Sequence, residues 1–172
     1  MRYSLNKNKY LLEGEYQQLI KTLDSNIDKN PRDCLLIYTA ISTGGRATEI
    51  LNLTREDLNP DGMTVLIHGL KKSDDREIPI VETLYVRIQK YADGVEDRIF
   101  PITYNRFHQI WEQYRPVKKT IHCLRHTFAI RLYQKTKDIR LLQAALGHRN
   151  IRNTMIYADY AYSQQELRRL IL

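Results

Sequence analysis

The chain has 172 residues, 42% of them hydrophobic, which suits one well-buried domain and is too short for two ordinary ones. Lysine and arginine number 27 against 20 aspartates and glutamates, a formal charge of +7 that favours a polyanionic partner such as nucleic acid or an acidic membrane surface. Two cysteines without zinc or redox spacing, no signal-peptide pattern and no apolar run of about 18 residues argue against a disulfide scaffold, a secreted protein and a membrane span, so a cytoplasmic protein is expected.

Along the chain, Leu11, Leu12, Tyr16, Leu19, Ile20 and Leu23 recur at three- and four-residue steps and predict an amphipathic helix. A second helix should start at Asn30-Pro31, run through Cys34, Leu35, Tyr38 and Ile41, and break at Gly44-Gly45, with Arg46 just beyond and helical pattern resuming over Thr48 to Leu53. The period then changes. A turn at Asn59-Pro60-Asp61-Gly62 precedes two β-branched runs, Thr64 to Ile67 and Glu77 to Ile80, which read as a hairpin. Pro79 makes the second strand an edge or its end, and the tip Lys71 to Arg76 is expected to be exposed and mobile. Further helices are expected near 82–91, 104–114, 122–135, 138–146 and 151–158. A last one opens at Ser163, which has capping-box spacing to Glu166, and carries Leu167, Leu170 and Ile171 as an apolar face. The fold class is mostly α with a small antiparallel β element, in a single domain over 1–172.

At the start of the helix near 122, His122, Arg125 and His126 share one face, with Leu124 and Phe128 turned to the core. Two imidazoles and a guanidinium there can bind a phosphate and exchange protons, although basic residues on a helix are more often a solvated face. Later, a helix ends at Gly147, which lets the chain reverse and brings His148 and Tyr157 back toward that face. Taken singly, His148 reads as a helix cap and Tyr157 as a core tyrosine.

Four separated segments together resemble the tyrosine recombinases, the family of phage integrases, chromosome-dimer resolvases and fimbrial phase-variation recombinases. Thr43-Gly44-Gly45-Arg46-Ala47-Thr48-Glu49-Ile50 is similar to the first arginine motif, with Glu49 as its acidic companion. The hairpin from Gly69 to Ile80 is similar to the lysine hairpin, where counting back eight residues from Pro79 selects Lys71 over Lys72. His122-Cys123-Leu124-Arg125 resembles the His-x-x-Arg box, and Leu146-Gly147-His148, followed nine residues later by Tyr157, resembles the last box and nucleophile.

The resemblance implies a DNA strand-exchange enzyme that works through a 3′-phosphotyrosyl link, with neither metal nor other cofactor. Arg46 and Arg125 would grip the phosphate, His122 would be the base, Lys71 would protonate the leaving oxygen, His148 would donate to the phosphate, and Tyr157 would attack. Glu49 and His126 would orient neighbours, while Lys72, Arg76, Arg149 and Arg152 would meet the DNA backbone. The short layout looks most like the fimbrial inversion recombinases, with the N-terminal clamp domain of longer relatives absent. Double-stranded DNA, further copies of the chain and accessory DNA-bending proteins are the implied partners, in a nucleoid-associated setting without membrane. A catalytically silent DNA-binding regulator and a strand-swivelling enzyme resembling type IB topoisomerases remain the alternatives.

Overall fold

A computed structural model describes residues 6–70, 73–160, 162 and 164–172. Eight α-helices are described: α1 (Glu13–Asn26), α2 (Pro31–Thr43), α3 (Ala47–Leu51), α4 (Glu82–Ala92), α5 (Tyr104–Tyr114), α6 (Cys123–Thr136), α7 (Ile139–Leu146) and α8 (Gln164–Ile171). Three short strands, β1 (Leu58–Asn59), β2 (Thr64–Ile67) and β3 (Arg76–Pro79), form an antiparallel sheet in chain order. Leu58 pairs with Val65, and Val65 with Ile78. The expected hairpin is thus a three-stranded sheet, because two-residue β1 is too short to show a two-residue period. As expected, β3 lies at the sheet edge and ends at Pro79.

Helix α2 is the axis of the molecule. Its residues from Asp33 to Ile37 are all buried, together with Thr39, Ala40, Ile41 and Thr43, and α1, α3, α4 and α6 all pack on it. A helix apolar on nearly every side has no water-facing stripe and belongs at the centre. Thr39 and Thr43 fit there because each hydroxyl donates to the carbonyl four residues earlier. Trp111 of α5 is fully buried, and its indole N–H donates to the Lys119 carbonyl at 2.8 Å. The Lys119 ammonium in turn donates to the Tyr10 carbonyl at 2.7 Å and to Glu15, tying the segment before α1 to the approach of α6.

A smaller cluster of Tyr10, Ala129, Ile130, Leu142, Leu146 and Tyr157 packs α6, α7 and the chain after α7 together. That last chain is not the expected helix over 151–158 but two 3-10 segments, Ile151–Asn153 and Met155–Tyr160. Asn150 caps the first of them, its side chain accepting from the Arg152 amide, and the chain bends at Thr154. The Ser163 cap lies outside the described residues. Helix α8 reaches the domain through Lys137, whose ammonium pairs with Glu166 at 3.1 Å and lies over the Tyr162 ring. Leu170 and Ile171 are 68% and 75% exposed. Among the described residues no helix is long and apolar enough to cross a membrane.

Candidate active site

Two helices end in the same way, and the site is built between their ends. Gly44 closes α2 and Gly147 closes α7, both in the left-handed conformation, with φ of 64° and 65°. Glycine is required at both places. A Cβ on Gly44 would stand 2.3 Å from the Phe128 ring, and one on Gly147 would stand 2.5 Å from the Asp74 carbonyl oxygen.

Arg125, on the first turns of α6, lies between these ends. Its guanidinium donates to the Gly44 carbonyl at 2.6 Å and to the Leu146 carbonyl at 2.8 Å. Only 2% of the residue is exposed. Burial and the charges of Arg46 and Arg76 lower its pKa to about 9, which still leaves it protonated at neutral pH. Helix-end carbonyls, the negative poles of α2 and α7, are natural partners for it.

Glu49 anchors the positive charge. Its carboxylate accepts from the Arg46 amide at 2.8 Å and from the Arg46 guanidinium at 2.9 Å, which caps α3. It also accepts from Arg76 at 2.6 Å and stands 4.0 Å from Arg125. Burial alone would raise its pKa, but the hydrogen bonds from Arg76 and Arg46 and the nearby charges outweigh it and hold the carboxyl at about 2. Arg46 keeps 35% of its side chain exposed, so of these arginines it faces outward.

The described part of the tip, from Ser73 onward, folds back onto this centre instead of standing free. The Asp74 amide donates to the Gly147 carbonyl at 3.0 Å, Ser73 bridges to His148, and the Ser73 hydroxyl accepts from Arg46. Ser73 and Arg76 are therefore buried, against the expectation of an exposed tip. Arg76, expected at the DNA backbone, is only 7% exposed, and its guanidinium donates to Glu49 and, at 3.1 Å, to the Ala145 carbonyl. Lys71 and Lys72 lie outside the described residues. Arg149 and Arg152 are exposed, Arg149 paired with Asp74 at 2.7 Å.

His148 accepts at Nε2 from Arg125 at 3.0 Å, because a guanidinium only donates, and so its Nδ1–H is directed at Thr154 Oγ1, also at 3.0 Å. Burial, then Arg125 and Arg46, push its pKa down to about 4, so it is neutral. In this arrangement its Nε2 lies on Arg125 and helps to orient that guanidinium. His122, just before α6, lines a cavity of about 160 Å³ together with Arg46, Thr48, Tyr104 and Arg125. Crowding by surrounding atoms and the charges of Arg125 and Arg46 hold its pKa below the ordinary value.

Tyr157 is placed differently from expectation. Its hydroxyl is 2.8 Å from Nδ1 of His126, the residue expected only to orient neighbours, and not on His122, the expected base. The rings of His122 and His126 meet edge to face at 4.6 Å. Burial lowers the His126 pKa to about 3, so a neutral imidazole holds the phenol. With 1% exposure, Tyr157 is shut into the smaller core cluster. The structure thus gathers Arg46, Glu49, His122, Arg125, His126, His148 and Tyr157, and adds Ser73, Thr154 and Arg76. Nothing local in the sequence marks Ser73 or Thr154, or sets Arg76 against Glu49 instead of the expected DNA backbone, since these partners lie across the fold or at a spacing no regular element produces. Among the described residues no group of three or more His, Cys, Asp or Glu side chains could hold a metal ion.

Residues 9–164 match the phage integrase family. The tyrosine recombinase XerA of Pyrococcus horikoshii is 30% identical over 164 residues, covering 87% of this chain and 56% of that protein. The XerH site-specific recombinase in its post-cleavage complex with a palindromic difH substrate superposes with a TM-score of 0.74 at 26% identity, over 96% of this chain and 53% of that one. The catalytic domain of bacteriophage HP1 integrase has a TM-score of 0.69 at 25% identity, over 94% of both chains. The chain therefore spans about half the length of these longer relatives, and nearly all of the isolated phage catalytic domain.

Proposed function

The chain belongs to the phage integrase family, and from that premise we propose that it is the catalytic unit of a site-specific DNA recombinase that cleaves and rejoins duplex DNA through Tyr157. The supporting observation is the convergence of Arg46 and Arg125, from opposite ends of the chain's middle, on one small cavity beside His122. A phosphodiester needs its non-bridging oxygens gripped by groups that stay cationic, and an arginine fork does this better than a lysine. Arg46 meets the phosphate from the open side, and Arg125 supports it from within. As charge grows on those oxygens, both are already in place, so little reorganisation accompanies the step.

The Tyr157 oxygen attacks phosphorus while the 5′ oxygen leaves, and Lys71 of the hairpin is the proposed source of the leaving group's proton. The attacking phenol must first leave His126, so the Met155–Tyr160 segment moves before cleavage. His122, on the cavity side of the His122–His126 contact, is the proposed base once that movement has occurred. Joining two DNA sites takes more than one copy. Helix α8, with Leu170 and Ile171 turned to solvent, is the proposed link between copies, and deletion of residues 164–172 should abolish junction formation while sparing single-site cleavage.

The test is incubation with a nicked duplex bearing the chain's own flanking repeats, followed by a denaturing gel. A covalent adduct is expected from the native chain and none from Tyr157→Phe. An adduct that persists in the phenylalanine variant refutes the nucleophile assignment.

A further inference from the structure

Three guanidiniums, those of Arg46, Arg76 and Arg125, surround the single carboxylate of Glu49. Arg76 is an expensive member of the group. Its NH1 is buried with no hydrogen-bond partner, and a buried unsatisfied donor costs stability that an apolar side chain of similar size would not. Nor is the Arg76 side chain open to solvent, since it is closed in against Glu49 and the Ala145 carbonyl. The neighbouring histidines add no charge at neutral pH, with His148 at about 4 and His126 at about 3. Among the described residues the cluster therefore holds two net positive charges. A phosphodiester carries one negative charge, and its five-coordinate transition state carries two. Without Arg76, Glu49 would cancel one of the two remaining arginines, and the cradle would match the substrate instead of the transition state.

We propose that Arg76 is a positioning residue that acts through Glu49: by engaging this carboxylate from beneath, it keeps the net charge of the phosphate cradle at two. The inference rests on the reading of Arg46 and Arg125 as phosphate ligands. A charge a few ångströms from the reacting phosphate, in a partly screened interior, changes the rate by about 10- to 100-fold.

The experiment is single-turnover covalent cleavage of the nicked duplex by the full chain, with DNA affinity measured in parallel. Arg76→Gln lowers the cluster charge to one, Glu49→Gln raises it to three, and the double variant returns it to two. Arg76→Gln is expected to cleave about 10- to 100-fold more slowly with DNA affinity changed by less than about threefold, and the double variant to regain about tenfold or more. A double variant no faster than Arg76→Gln overturns the proposal, as does an affinity loss that accounts for the slower cleavage. Should Arg76→Gln fail to fold, Arg76→Lys and the double variant carry the test. Both keep two charges and are expected within about tenfold of the native rate, and a loss beyond about 100-fold in either folded protein overturns it. Absence of any adduct with the native chain strikes the recombinase reading itself, whereas a native adduct with unaltered Arg76→Gln cleavage strikes only the role of Arg76.

Discussion

Replacing Glu49 by glutamine keeps the shape of the side chain and removes its charge, leaving Arg76 and Arg125 buried without their counterion. The gap between the ordinary carboxyl value of 4.5 and about 2 in the fold corresponds to about 3 kcal/mol favouring the carboxylate. Breaking a buried pair by removing one partner costs about 3–5 kcal/mol in general, so the two routes agree. For a chain of this size such a loss lowers the melting temperature by roughly 6–12 °C. The pH dependence has a definite sign. Because the folded-state value is depressed, the contribution is complete above pH 4.5 and is lost as pH falls toward about 2. Urea unfolding of native and Glu49→Gln chains at pH 7, 5, 4 and 3 should therefore show a gap of about 3 kcal/mol that narrows through the acid range. A gap below about 1 kcal/mol at pH 7, or one that stays constant down to pH 3, would falsify the charge-anchor reasoning.

Three other outcomes follow from the same geometry. His126 and His148 stay neutral in the fold down to about 3 and about 4, while the unfolded chain takes up protons below 6.5, so the unfolding free energy from urea titrations should fall between pH 6.5 and 4, with a slope approaching about 2.7 kcal/mol per pH unit. Gly147→Ala places a Cβ against the Asp74 carbonyl in a left-handed backbone, and should cost about 2 kcal/mol or more in chemical denaturation and slow cleavage by lifting the hairpin tip off His148. Arg149→Gln and Arg152→Gln, both at exposed positions, should each reduce the salt dependence of DNA binding by about one phosphate contact without altering the cleavage rate on saturated DNA.

What could be read in advance was what depends on near neighbours in the chain. Pro31 at the start of α2, Gly44 and Gly147 at two helix ends, and the apolar stripe of α1 are local signals, and each element sits close to its expected place. Arg46, Arg125, His148 and Tyr157 could be named because four motifs kept their order and spacing. Arg76 could not be separated from a surface arginine, since its burial goes with the contact of Asp74 on Gly147, across 73 residues. The imidazole that holds Tyr157 in the fold is not legible for a related reason. His122 and His126 lie four apart on one face, and which of them meets the phenol is decided by how the 3-10 segment after Thr154 packs on α6. That segment has no regular period to read.

On the proposed function, a net charge of +7 would draw the chain to almost any duplex, wherever its proper site is. The concealment of Tyr157 keeps such encounters harmless on the chemistry proposed here. Attraction would extend to all DNA, while the proposed nucleophile, the Tyr157 oxygen, stays inside the protein on His126. Scission would then await an arrangement that can draw the tyrosine out, and a chance landing on the genome would end in release without a nick.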